Sequence, residues 1–182
     1  MVQSLFVNGR VEVPKQTTSD EKCYIGIDPG KQGGLVLLSE EAMQWVVMPE
    51  SDLDLFNLLG KWSTNHNIVC GYLEQVASRP GEGHKGAFTF GEGYGKLQMA
   101  LAGNQIRYEK VTPRTWMKGL CIPVTRANES RKDYKERLRQ TAQSLFPSLL
   151  LWNVSNNLGV QRAVCDAMLI AEYCKRKHEY KV

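Results

Sequence analysis

Residues 23–38 read Cys-Tyr-Ile-Gly-Ile-Asp-Pro-Gly-Lys-Gln-Gly-Gly-Leu-Val-Leu-Leu, and how this stretch is read decides the fold. Tyr24, Ile25 and Ile27 make a short apolar strand. Asp28 ends it, Pro29 and Gly30 open a turn, and Gly33–Gly34 leads into a second strand over Leu35–Leu38. The pattern predicts a β-hairpin. Its glycines allow backbone or ligand to approach where a side chain would collide. Asp28 then stands at the C-terminal end of a buried strand. It can cap the turn, as Asp often does, or present a carboxylate for catalysis or metal binding. The rest of the chain has to choose between them.

Working outward, Met43–Met48 predicts a third strand, and Asp52 an N-cap. Leu53, Leu55, Phe56, Leu58, Leu59 and Trp62 follow at helical spacing. Ile68–Leu73 predicts a fourth strand that delivers Glu74. Residues 79–86 read as a glycine-rich loop, with a helix from about Gly91 to Ala102. Ile106–Val111 predicts a fifth strand, Pro113–Lys118 a helical turn, Lys132–Phe146 a basic amphipathic helix and Val160–Lys177 a last helix. Three antiparallel strands followed by strands reached through helices give an α/β fold. Its core is a mixed five-stranded sheet flanked by helices. Residues 1–22 form a leader, with Asn8–Gly9 suggesting a small hairpin. Residues 23–182 form one domain.

Composition narrows the function classes. With 42% hydrophobic and 23% charged residues, the chain reads as an ordinary globular domain. No apolar run approaches the roughly 18 residues of a membrane span. The N-terminus lacks a secretory pattern, and the cysteine count of 5 is odd, with no CxxC pair. A reducing, cytoplasmic setting is the simplest expectation. Reading the 3 histidines and the cysteines for a zinc pattern yields none, so no structural zinc site is expected. A net charge of +4 is compatible with nucleic acid without requiring it.

Two acids, Asp28 and Glu74, end predicted strands, and strands one and four can be neighbours in such a sheet. A third, Asp166, opens the apolar run Asp-Ala-Met-Leu-Ile-Ala. An acid there is costly to bury without a partner. Each acid has a bland reading: a solvent-facing strand end for Glu74, or pairing with Arg162 or Arg176 for Asp166. Taken with Asp28, a shared cation is the better account, and hard oxygen ligands suit Mg²⁺ or Mn²⁺. Two such ions could clamp a scissile phosphodiester.

Five stretches then carry a family resemblance: Tyr-Ile-Gly-Ile-Asp-Pro-Gly, Tyr-Leu-Glu-Gln-Val, Val-Thr-Pro-Arg-Thr-Trp, the run from Lys135 to Pro147, and Asp-Ala-Met-Leu-Ile-Ala. Their order and spacing, over about Cys23 to Lys177, resemble the RuvC-type Holliday junction resolvases, with the phage versions nearest in flavour. The resemblance implies an RNase H-like fold. It also implies a homodimer that cuts two opposed strands of a four-way DNA junction with Mg²⁺. It makes Asp28, Glu74 and Asp166 the catalytic metal ligands. The family usually has a fourth acid about one helical turn before the last. Ala163 and Arg162 stand there instead, and no acid occurs from Leu138 through Cys165. Either three carboxylates serve, with Gln161 or water, or the acid has been lost. Bacterial members also carry an aromatic where this chain has Ala77, so Phe88 or Phe90 is a substitute to consider.

Gln75, Arg79, Lys85, Arg114, Lys118, Lys132 and Lys135 are the expected DNA contacts, lying near the acid-bearing segments. About half of the surrounding basic residues are expected to be ordinary solvated charges. Competing readings are a non-catalytic binder of branched DNA and an RNA-processing nuclease on the same fold. An actin-like phosphotransferase ranks last, since that class needs two such lobes.

Overall fold

A computed structural model describes residues 10–11, 20–75, 83–124, 128–147 and 157–179. The strands are β1 (Arg10–Val11), β2 (Lys22–Asp28), β3 (Gly34–Leu38), β4 (Met43–Val47), β5 (Asn67–Glu74) and β6 (Tyr108–Val111). The helices are α1 (Asp52–Asn65), α2 (His84–Gly103), α3 (Pro113–Gly119), α4 (Arg131–Leu145) and α5 (Leu158–Glu179). The sheet order is β1-β4-β3-β2-β5-β6. β2, β3 and β4 run antiparallel in succession, while β5 lies parallel to β2, and β6 parallel to β5. This is the expected mixed five-stranded sheet. The two-residue β1 extends its edge by pairing with β4. The rest of the leader, with the suggested Asn8–Gly9 hairpin, lies outside the described residues.

Side chains alternate across a strand, so β2 and β3 feed two cores. Tyr24, Val36, Cys70 and Tyr72 pack beneath α3, α4 and α5, while Ile25, Ile27, Leu35 and Leu73 pack against α1 and α2. Both faces of β2 and β3 are covered, which is why these strands read as nearly unbroken apolar runs. Full burial of a side chain such as Ile25 or Ile27 stabilises the fold by about 2 kcal/mol.

α5 lies along the central strands, and everything from Ala163 through Ala171 on it is buried. Gly26 sets how close it comes. A Cβ there would stand 2.1 Å from the Ala167 carbonyl oxygen and 2.3 Å from the Ala171 nitrogen. Any side chain at residue 26 would lift α5 from β2, and Asp166 with it.

Two boundaries differ from expectation. Ser51, not Asp52, caps α1, its hydroxyl accepting from the Asp54 N–H at 3.1 Å. Asp52 is instead the first helical residue, where an acid favours the positive end of the helix dipole. α2 starts at His84, about seven residues before the predicted start, so Lys85 lies in its first turn rather than in a loop. The glycines there weaken the propensity signal, but Leu97, Ala100 and Leu101 anchor the helix by burial.

Candidate active site

In the parallel β2–β5 pair, Ile27 is registered with Leu73. The next residues, Asp28 and Glu74, therefore sit side by side on strands about 4.8 Å apart. By alternation both carboxylates face α5, as Tyr24 and Tyr72 do. The turn after Asp28 is closed by the Gly33 N–H donating to the Gly30 oxygen at 2.7 Å. A Cβ on Gly33 would fall 2.0 Å from the Asp28 oxygen, so only glycine fits there. Asp166 completes the group from α5 and is 4% exposed.

Two further side chains organise the acids. The Trp116 indole Nε1 donates to Glu74 Oε1 at 2.9 Å. Trp116 is itself buried and held by α3, whose N-cap Thr112 accepts from the Thr115 N–H. From α4, the Lys135 ammonium makes an ion pair with Asp166 Oδ2. The other oxygen, Asp166 Oδ1, is buried with no hydrogen-bond partner.

Burial, followed by the neighbouring Asp166 charge, raises the Asp28 carboxyl to about 6. Burial and then Asp28 raise Glu74 to about 7, although the Trp116 hydrogen bond pulls it down. Burial raises Asp166 too, against the opposing pull of Lys135. Burial lowers Lys135, but Asp166 outweighs it and holds the ammonium charged. One ammonium thus faces three acids that resist ionising together. The ligand atoms of the three do not all fall within 4.8 Å of one another. A divalent ion fits this donor set: the oxygens are hard, Asp166 Oδ1 has no partner, and the repulsion among the acids calls for positive charge.

The structure thus brings Asp28, Glu74 and Asp166 together. It also turns Lys135, expected on the DNA-facing surface, into the acid group. Ala163 is buried one turn before Asp166, its carbonyl oxygen 3.5 Å from where a Cβ on Gly34 would lie. Gly34 is the β3 partner of Asp28, so position 163 borders the acids. Lys85, Arg114, Lys118 and Lys132 are exposed. Gln75 is exposed as well, its backbone N–H donating to the Val111 oxygen at 2.7 Å. Arg79 and Ala77 lie outside the described residues. Other cations are engaged internally: Arg137 with Glu129, Arg139 with Glu136, and Lys96 with Asp52 and Glu92. Trp116 falls in a recognised motif, but nothing in that motif reveals that its N–H meets Glu74. Lys135 opens another of the recognised stretches, but nothing in that stretch reveals that its ammonium meets Asp166.

No protein-family model matches the chain, and no curated protein does. Among solved structures, the fold is similar to Thermus thermophilus RuvC. The RuvC complex with a Holliday junction substrate aligns with a TM-score of 0.54 at 13% identity, covering 85% of this chain and 95% of that one. A second Thermus thermophilus RuvC structure aligns with a TM-score of 0.54 at 14% identity, covering 85% and 96%. At this identity the likeness shows a RuvC-like, RNase H-like fold. Among the described residues no helix is long and apolar enough to cross a membrane.

Proposed function

We propose that this chain is a structure-specific endonuclease that resolves four-way DNA junctions by metal-dependent phosphodiester hydrolysis. The observation that carries the reading is the trio of acids from β2, β5 and α5, with buried, unpartnered Asp166 Oδ1, on a RuvC-like fold. Asp28, Glu74 and Asp166 would hold Mg²⁺, or Mn²⁺ in its place. When bound, such ions supply Lewis acidity and a water made nucleophilic at neutral pH. Trp116 fixes the orientation of Glu74 through its hydrogen bond to Oε1. Lys135 balances charge at Asp166 before the site is loaded. Exposed Lys85, Arg114, Lys118 and Lys132 are suited to phosphate contacts, and Arg79 is assigned the same role from its place in the chain.

Cutting two opposed strands calls for a homodimer. The exposed Phe88 and Met99 on α2, and the open space at Gly91, Gly93 and Gly95, support a partner on that helix. Strict monomers in light scattering, with and without junction DNA, would remove this part. Five free cysteines, four of them buried, support a reducing cytoplasmic setting. The motif spacing favours kinship with the phage versions.

A second reading, a branched-DNA binder that does not cut, is favoured by Ala163 at the position of the usual fourth acid and by the Lys135–Asp166 ion pair. Incubating labelled four-way junction and linear duplex with the protein and Mg²⁺ separates the two. Paired incisions in the junction alone support the nuclease. Tight junction binding with no incision supports the binder.

A further inference from the structure

We propose that Cys70, Cys174 and His178 form a second metal site, for a thiophilic divalent cation of the Zn²⁺ class, that ties α5 to β5. Among the described residues this is the one His/Cys/Asp/Glu group whose ligand atoms all lie within 4.8 Å of one another. Both cysteines are fully buried and free. Their sulfurs meet each other in a side-chain hydrogen bond and otherwise have long contacts to backbone carbonyls, Cys70 Sγ to the Gly71 oxygen and Cys174 Sγ to the Cys70 oxygen, each at 3.5 Å. His178 Nε2 is buried and has no hydrogen-bond partner. Its ring is fixed between Tyr24 and Tyr72, with centroids 6.3 and 5.9 Å away. A buried nitrogen without a partner is expensive unless something binds it. Tetrahedral zinc with bonds of about 2.3 Å to sulfur and 2.0–2.1 Å to nitrogen sets ligand atoms about 3.7 Å apart. The cluster therefore needs only a small contraction.

The spacing follows from the fold. Cys174 and His178 are four residues apart on α5, one turn, and so share a face. Cys70 pairs with Tyr24 in the β2–β5 ladder and points, like Tyr72, towards α5. Cys174 lies eight residues along α5 from Asp166, a rise of about 12 Å. Cys70 lies four residues along β5 from Glu74, about 13 Å. The two elements that carry Glu74 and Asp166 are thus joined again at their far ends by these thiols. A cation there would hold α5 in register with β5. On binding, each thiol gives its proton to solvent, the two thiolates neutralise the dication, and neutral His178 binds through the Nε2 lone pair. A water would complete the tetrahedron. This site does not depend on the proposed nuclease activity.

The test uses the full chain purified under reducing conditions without chelator. Elemental analysis should find about one zinc per chain. Titration of stripped protein with Co²⁺ alone should give thiolate-to-cobalt charge transfer and the visible bands of a tetrahedral site. Cys70→Ser and Cys174→Ser should lose the charge-transfer band. His178→Ala, at the partly exposed end of α5, should weaken Co²⁺ binding at least about tenfold and serves if a cysteine variant does not fold. Cys121→Ser, at an exposed cysteine elsewhere, and Asp28→Asn should keep the band. Absence of a thiolate band in reduced wild type, a band unchanged in His178→Ala, or a Cys70–Cys174 disulfide in the freshly purified protein would each overturn the proposal.

Discussion

Asp28→Asn should stabilise the protein when divalent metal is withheld. Asp28 titrates at about 6, against an ordinary value of 3.8. Because the folded value is raised, the folded chain holds this proton more tightly than the unfolded chain. The group's favourable contribution is present below its unfolded value and is lost as pH rises through the window from 3.8 to about 6. Above that window the ionised carboxylate costs about 3 kcal/mol at about 1.4 kcal/mol per pKa unit. Asp28 is only half-buried and shares its repulsion with Glu74 and Asp166, so about 1–3 kcal/mol is expected from removing the charge. Asparagine keeps the shape and also relieves Glu74, which Asp28 pushes towards 7. For a chain of this size, the melting temperature in EDTA at pH 8 should rise by about 3–10 °C. At pH 5, midway through that window, the rise should fall to about half, and only below about pH 3.5, where Asp28 is protonated in both the folded and the unfolded chain, should it nearly vanish. Thermal unfolding of both proteins at these pH values measures this. An equal effect at pH 5 and pH 8, or destabilisation at pH 8, would refute the reasoning.

Trp116→Phe keeps an aromatic in the core but removes the donor to Glu74. A hydrogen bond to a charged group is worth about 1.5–3 kcal/mol, so Mg²⁺-dependent cleavage should fall about 10- to 100-fold. The Mg²⁺ concentration for half-maximal rate should also rise, and an unchanged Mg²⁺ profile would count against the role. Lys118→Ala and Lys85→Ala should weaken junction binding in EDTA about equally for all junction sequences and lower the salt dependence by roughly one phosphate contact each. An effect confined to one sequence would show base reading instead. Ala163→Asp adds a carboxylate beside Asp28 and should raise Mg²⁺-dependent cleavage by at least about tenfold. If the wild type already cuts well and the variant gains nothing, a four-acid site is the wrong template.

Much of the fold could be read from strand-scale patterns. Apolar runs ending in Asp28 and Glu74, with Pro29–Gly30 after the first, announce strand ends carrying acids. Asp166 stands out because the residues after it are all core-like. The remaining features depend on tertiary contacts that no local pattern encodes. Lys135 is one of several charges on a basic helix, and only the packing of α4 on α5 turns it towards Asp166. Trp116 looks like any core tryptophan until α3 sets its N–H against Glu74. The glycines at 91, 93 and 95 disguise the early start of α2, because buried side chains further along hold that helix. Cys174 and His178 stand four residues apart, a spacing that by itself does not mark a zinc pattern among the histidines and cysteines. Their one-turn spacing gains meaning only when β5 brings Cys70 beneath them.

The most direct test of the central claim is a single incision assay on a labelled four-way junction, comparing wild type with Asp28→Asn in Mg²⁺ and in EDTA. The account predicts paired, symmetric cuts by wild type in Mg²⁺ only, and junction binding without cutting by Asp28→Asn. Cutting by Asp28→Asn at the wild-type rate, or wild type that fails to cut the junction in Mg²⁺, would contradict it.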